Sequence, residues 1–182
     1  MPDKIRSDFE LDPRRRAHRT RSDAWEDVGA LDKLNMHNLM ETLRREHGIG
    51  LNKNSSILEV GTGKARLFKR LKAEGYDVTG VEGRGRVEHT PDLPIANIRI
   101  EEMPFGSDSA TFDVVIAASV FDYEMYNQDP ELMISRIADA LHPGGIFVCD
   151  YVPESLISQR ADFKRLLLSK PYNKRITVYQ KI

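Results

Sequence analysis

Apolar residues change their period along the chain, and the changes mark out its elements. Trp25, Val28 and Leu31, then Met36, Leu39, Met40 and Leu43, recur at three- and four-residue steps and predict a helical segment ending near Gly48. Asp23 with Glu26 three residues on reads as its cap, and Gly29 divides the stripe in two. From residue 57 short apolar runs alternate with amphipathic stretches, the signature of an α/β sheet. Strand 57–60 precedes a helix from about Lys64 to Glu74, stopped by Gly75, and strand 77–81 follows. Gly83, Gly85, Pro91 and Pro94 leave little room for a helix in the next crossover. A strand near Ile98–Glu101 then leads through a turn to strand 113–118. Asp129 and Pro130 hold the cap and first-turn positions of a helix with Ile134, Ile137, Ala138 and Leu141 on its inner face. Strand 146–151, a helix from about Pro153 to Ser169 and a strand Arg175–Gln180 complete the pattern.

The chemistry starts at Ile57-Leu58-Glu59-Val60-Gly61-Thr62-Gly63-Lys64-Ala65, a buried strand running through a glycine turn into a helix. Such turns let a ligand's polar groups approach unpaired backbone N–H groups with no side chain in the way. A Walker phosphate loop needs Gly five residues before the Gly of the Gly-Lys pair and a hydroxyl after the Lys; Leu58 and Ala65 stand there. A nicotinamide dinucleotide fingerprint needs Gly or Ala three residues after the second Gly, where this chain has Arg66. Three later segments follow in order: Val78-Thr79-Gly80-Val81-Glu82, then Met103-Pro104-Phe105 through Phe112-Asp113-Val114-Val115, then Leu141-His142-Pro143-Gly144-Gly145.

In these segments, from about Ser56 to Asp150, the chain resembles the class I, Rossmann-like, S-adenosylmethionine-dependent methyltransferases. The resemblance implies a doubly wound, mostly parallel α/β sheet of the Rossmann-like methyltransferase type; beside it the chain is expected to have a flexible N-terminal arm and, departing from the family, a shortened C-terminal strand region. Full-sized relatives end with two strands, one antiparallel, and here one strand is clear. The family's first motif, an acidic residue, an apolar residue and Gly-x-Gly-x-Gly, matches Glu59, Val60, Gly61, Thr62 and Gly63, with Ala65 in place of the last glycine. Its ribose-binding carboxylate matches Glu82, 19 residues beyond Gly63 and followed by Gly83. Where many members carry an adenine-binding Asp, this chain has Arg99, which cannot accept a hydrogen bond. Either Glu101 or Glu102 takes over, or the backbone near Ile100 reads adenine by itself. The end of the fourth strand adds Ala118 and Ser119. S-adenosyl-L-methionine is the implied cofactor.

Oxygen and nitrogen acceptors must lose a proton, so a base near the transferred methyl group helps. In open α/β sheets the ligand lies beyond the carboxyl ends of the strands, where Asp122, Tyr123, Asp150 and Tyr151 fall. Asp122 is the first choice as base or orienting group and Tyr123 the second; each could equally cap a turn or pack. The Asn/Asp-Pro-Pro-Tyr signature of exocyclic-amine methylation and the Cys pair of pyrimidine carbon-5 chemistry are missing. The default acceptor is an oxygen or nitrogen atom of a small molecule.

Composition narrows the setting. The 182 residues suffice for one well-buried domain with an appendage, 40% hydrophobic and 30% charged. The division expected is an arm over residues 1–22 and a methyltransferase-like domain over 23–182, with a helical cap at 23–50 and the α/β core at 56–182. The longest apolar runs are strand-sized and the N-terminus lacks an apolar signal core, which fits a cytoplasmic protein without membrane contact. The single cysteine, Cys149, reads as a buried structural thiol. Net charge is −1, yet Arg14, Arg15, Arg16, Arg19 and Arg21 cluster in the arm around His18. That cluster offers RNA phosphates a partner, or is a solvated tail with no aromatic residue to stack on bases. Two alternatives therefore stand beside the small-molecule enzyme. One is an RNA methyltransferase guided by the arm; the other is a non-catalytic partner or scaffold subunit, acting in a hetero-complex or homodimer.

Overall fold

The computed structural model describes residues 34–83, 93–103, 112–118, 120–121, 129–150, 152, 154–158, 160–169 and 176–182. The arginine arm, Trp25, Asp23 and most of the second crossover lie outside them. Helix α1 (Met36–His47) starts at Asn35, whose side chain accepts the Asn38 amide at 3.0 Å, so the cap lies at Asn35. Met36, Leu39, Met40 and Leu43 make its buried stripe, at the spacing that puts side chains on one helical face. Gly48 ends it in the left-handed conformation, its N–H donating to Arg44 and that of Ile49 to Leu43. His37 and Asn38, on the opposite side of the helix from this stripe, are exposed.

Seven strands follow: β1 (Ser56–Val60), β2 (Asp77–Val81), β3 (Ile95–Ala96), β4 (Phe112–Ala117), β5 (Leu141–Asp150), β6 (Phe163–Leu166) and β7 (Ile176–Lys181). Among the described residues the α-helices are α1, α2 (Arg66–Ala73), α3 (Pro130–Ala140) and the short α4 (Glu154–Ser158). The strands form one sheet in the order β3-β2-β1-β4-β5-β7-β6. Neighbours from β3 to β5 are parallel, and β7 is antiparallel to both β5 and β6. Alternate strand residues serve opposite faces. Ile57, Val78, Val114, Ile116, Ile146 and Val148 join one core with α1 and α2. Leu58, Val60, Val81, Val115, Ala117 and Phe147 join the other with α3 and Ile157 of α4. Burial on both faces explains why these strands read as unbroken apolar runs.

Asp129 caps α3 through the Glu131 and Leu132 amides, and Pro130 takes the first turn, as the sequence predicts. Three expectations fail. The strand expected near Ile98–Glu101 is a two-residue β3 at Ile95–Ala96, and Ile100–Glu102 is a 3₁₀ turn. Pairing with Gly80 and Val81 selects Ile95 and Ala96, a contact that local apolarity does not reveal. Strand β5 begins at Leu141, with Gly144 at φ 81° and a register break that sets residues 142–145 against Asp113 alone. The helix expected over 153–169 stops at Ser158, and Phe163–Leu166 pairs with β7 instead. Phe163 packs against Phe147 and Tyr179, a tertiary contact that overrides the local helical spacing. The sheet thus ends in two strands, β7 and β6, where one is clear from the sequence, so the C-terminal strand region is not shortened as expected. Among the described residues no helix is long and apolar enough to cross a membrane.

Candidate functional site

The parallel register places one residue from each of four adjacent strands in a row at the carboxyl edge. Val60 pairs with Val81 and Ala117, and Ala117 with Cys149, so Gly61, Glu82, Ala118 and Asp150 come next together. The order of the sheet reverses between β1 and β4, the switch point where open α/β sheets hold ligands. Asp150 is fully buried and engaged within the protein. The sequence put it on the fifth strand but gave no sign that it shares a row with Glu82.

The turn after β1 is braced rather than open to anions. The Gly61 and Thr62 amides both donate to the Val81 carbonyl, at 2.8 and 3.3 Å, and the Ala65 amide donates to Thr62 at 2.7 Å. The Gly63 amide donates to the Glu82 carboxylate at 2.7 Å. Four donors that could have cradled a phosphate are therefore spent on the fold, contrary to the expectation of unpaired amides. A dinucleotide pyrophosphate would need those donors. Gly61, Gly63 and Ala65 all have positive φ, at 71°, 52° and 55°. Ala65 thus adopts the conformation that the third glycine of the family motif supplies without strain. A Cβ at Gly61 would lie 2.8 Å from Val120 Cγ2, so β4's exit fixes glycine here. Among the described residues a Cβ at Gly63 would meet only the Gly61 carbonyl, at 4.0 Å, so these residues leave room beside the turn.

The polar groups around that space come from three elements. Glu82 is 5% exposed, and its backbone amide donates to Ala96 at 3.0 Å. Thr62 packs its methyl group on Gly80, where a Cβ would come within 2.6 Å. Its buried hydroxyl has no hydrogen-bond partner among the described residues. Glu59 is 2% exposed and engaged within the protein, on the α1 face of β1 with Ile57. The Arg99 stem fills the flank of Gly83, where a Cβ would lie 2.5 Å from Arg99 Cγ. Ile100 is buried, Glu101 half-buried and Glu102 exposed. One Glu101 carboxylate oxygen is buried with no hydrogen-bond partner among the described residues. Of the two carboxylates weighed from sequence, Glu101 is the one that turns inward.

After β4, Ala118 is half-buried and Phe121 is 3% exposed. Ser119, Asp122 and Tyr123 lie outside the described residues. Val120 and the Val81 carbonyl were not legible in advance, since an aliphatic residue and a main-chain oxygen carry no chemical signature. Cys149 is no nucleophile: burial pushes its thiol well above the ordinary range, the Asp150 charge adds to this, and Arg165 offsets it in part.

An adenosyl group fits this arrangement. Its ribose hydroxyls need a fixed acceptor, which Glu82 offers, and its bulk needs the room that the described residues leave at Gly63. Comparison with known proteins agrees. The sequence profile of a family described as "Methyltransferase domain" matches residues 30–181. Comparison with curated proteins finds no match. Among solved structures, the chain is similar to Burkholderia thailandensis 1,6-didemethyltoxoflavin-N1-methyltransferase with bound 1,6-didemethyltoxoflavin and S-adenosylhomocysteine. The TM-score is 0.56 at 18% identity, over 97% of this chain and 87% of that one. The plantazolicin methyltransferase BpumL in complex with SAH gives a TM-score of 0.61 at 10% identity, over 95% and 92%. Magnesium protoporphyrin IX methyltransferase from Synechocystis PCC 6803 with bound SAM gives 0.54 at 13% identity, over 80% and 77%. The chain belongs to the class I, Rossmann-like, S-adenosylmethionine-dependent methyltransferase family.

Proposed function

We propose that the chain binds S-adenosyl-L-methionine and transfers its methyl group to an oxygen or nitrogen atom of a small-molecule acceptor. The observation that carries this reading is the Glu82 carboxylate, held by the Gly63 amide beside the side-chain-free turn. A non-catalytic scaffold would use this carboxylate only to brace the turn, and burying one is costly. Three relatives in fold are methyltransferases with small-molecule or natural-product names, and one acts at a nitrogen by its name.

In this reading Glu82 accepts from the ribose hydroxyls. Gly61, Thr62 and Gly63 line the turn beside the sulfonium end, Gly83 and Ile100 border the adenosine, and Glu101 takes the adenine amino group. Glu59, Glu102, Ala118 and Ser119 complete the surroundings. When bound, the cofactor supplies an electrophilic methyl group on sulfur. The chain's own part is to orient the acceptor and take its proton, a task assigned to the Asp122 carboxylate with Tyr123 positioning the acceptor.

Calorimetric titration with S-adenosylhomocysteine, alongside Glu82→Ala, tests the cofactor site. Micromolar binding lost in the variant supports the reading, and no binding by the wild type overturns it. An acceptor screen with radiolabelled cofactor, repeated on Asp122→Asn, then tests the catalytic assignment.

A further inference from the structure

We propose that the exposed basic surface formed by Lys64 of the preceding turn and by Arg66 and Lys69 of α2 docks the phosphodiester backbone of a nucleic acid. From Lys64 to Lys72 the chain has five basic residues and no acidic one. Leu67, Phe68 and Leu71 turn inward, so the charge is left to the outer face. Two of the five are committed locally. Arg70 donates to the Leu34 carbonyl at 2.6 Å and lies 3.7 Å from Glu74, while Lys72 lies 3.8 Å from Asp77. Lys64, Arg66 and Lys69 are exposed and have no hydrogen bond or ion pair with another described residue.

Their placement opposes the helix's own electrostatics. Positive charge is unfavourable at a helix N-terminus, yet α2 has no acidic residue in its first turn and no side-chain cap. Helix α3 has Asp129 and Glu131 at its start, whereas α1, like α2, has no acidic residue in its first turn and basic residues in its last; α2 differs in placing Arg66 at its first position. An anionic partner along α2 removes the conflict. No exposed large apolar side chain lies among the three cations to seat the side chains of a peptide. The arginine cluster Arg14–Arg21 gives the same chain a second run of positive charge, which suits a polyanion better than a single carboxylate.

The test is fluorescence anisotropy of the full chain with labelled single-stranded RNA and DNA oligonucleotides of one sequence, in a salt series, with poly-glutamate as competitor. It reads binding alone, so its result is separable from that of cofactor binding or methyl transfer. The variants are Lys64→Glu/Arg66→Glu/Lys69→Glu, the neutral set Lys64→Gln/Arg66→Gln/Lys69→Gln, and a chain lacking residues 1–22. Three phosphate contacts should contribute about −2 to the slope of log affinity against log salt. The charge reversal should remove that share and weaken binding by at least about tenfold in low salt. The neutral set should lose less, and it carries the test if the reversal unfolds by circular dichroism. Preference for RNA or DNA identifies the source of the backbone. Absence of binding, equal binding by the variants, or binding lost only with residues 1–22 overturns the proposal. Competition by poly-glutamate as effective as by nucleic acid overturns it in favour of an acidic protein partner.

Discussion

The Glu82 carboxylate accepts the Gly63 amide at 2.7 Å, joining the end of β2 to the turn after β1 across 19 residues of sequence. The bond does two jobs. It satisfies a turn amide and fixes the orientation of the one carboxylate that the adenosyl reading needs.

Removing that carboxylate should therefore affect binding and stability together. Glu82→Ala loses a charge-assisted bond to Gly63 and the acceptor for the ribose, each about 1.5–3 kcal/mol. The expected loss of S-adenosylhomocysteine affinity is about 10- to 100-fold, by calorimetry. Glu82→Gln should recover part of the thermal stability, because its amide oxygen still accepts from Gly63, with little recovery of affinity. Full affinity in Glu82→Gln would show that the charge is not used.

Gly61 is held by two independent constraints, a φ of 71° and a Val120 methyl 2.8 Å from where a Cβ would stand. Gly61→Ala should cost about 1–2 kcal/mol for the left-handed backbone and about 1–3 kcal/mol for overpacking. Urea denaturation of Gly61→Ala, Val120→Ala and the double variant separates the two. The double variant should regain the overpacking share only; strict additivity would show that the contact is not formed.

Ala65 sits at φ 55° while only 1% exposed. Ala65→Gly relieves about 1 kcal/mol of backbone strain and gives up about 0.8 kcal/mol of buried methyl. The two nearly cancel, so its unfolding free energy should change by less than about 0.5 kcal/mol. Ala65→Val adds β-branching and volume at the same place and should destabilise by more than about 2 kcal/mol. A large gain from glycine would mean that the methyl group contributes nothing to packing.

Glu46 ties the end of α1 to the segment after β6. Its carboxylate accepts from the Ser169 amide at 2.9 Å, from the Ser169 hydroxyl, and from Arg45 at 2.8 Å. These bonds, led by the Ser169 hydroxyl, lower its pKa from 4.5 to about 2. A depressed folded-state value means that the contribution is fully present above the unfolded value and is lost as pH falls through the folded one. Wild type should exceed Glu46→Gln in urea midpoint by a constant amount above about pH 5 and converge with it toward about pH 2. A gap that widens on acidification would refute the assignment.

The sequence by itself determined the parts whose cause is local. Asp129 and Pro130 start α3 because a side-chain acceptor and a fixed φ act within four residues. The apolar runs of β1, β2, β4 and β5 are strands buried on both faces. Glycines 61 and 63 and the acidic Glu82 were legible because they are chemically distinctive and regularly spaced. Tertiary structure decided what depends on a distant partner. Phe163–Leu166 became a strand because β7 offered a ladder and Phe147 and Tyr179 a packing surface. Ile95–Ala96 took the sheet edge through Gly80 and Val81. Glu101 rather than Glu102 turned inward, and Asp150 joined the row of Gly61 and Glu82, through helix phase and strand register. The turn's amides closed on Val81 and Glu82, so its role passed from binding anions to holding a carboxylate. Each of these is a choice of partner across the chain, and a local pattern holds no record of which partner is near.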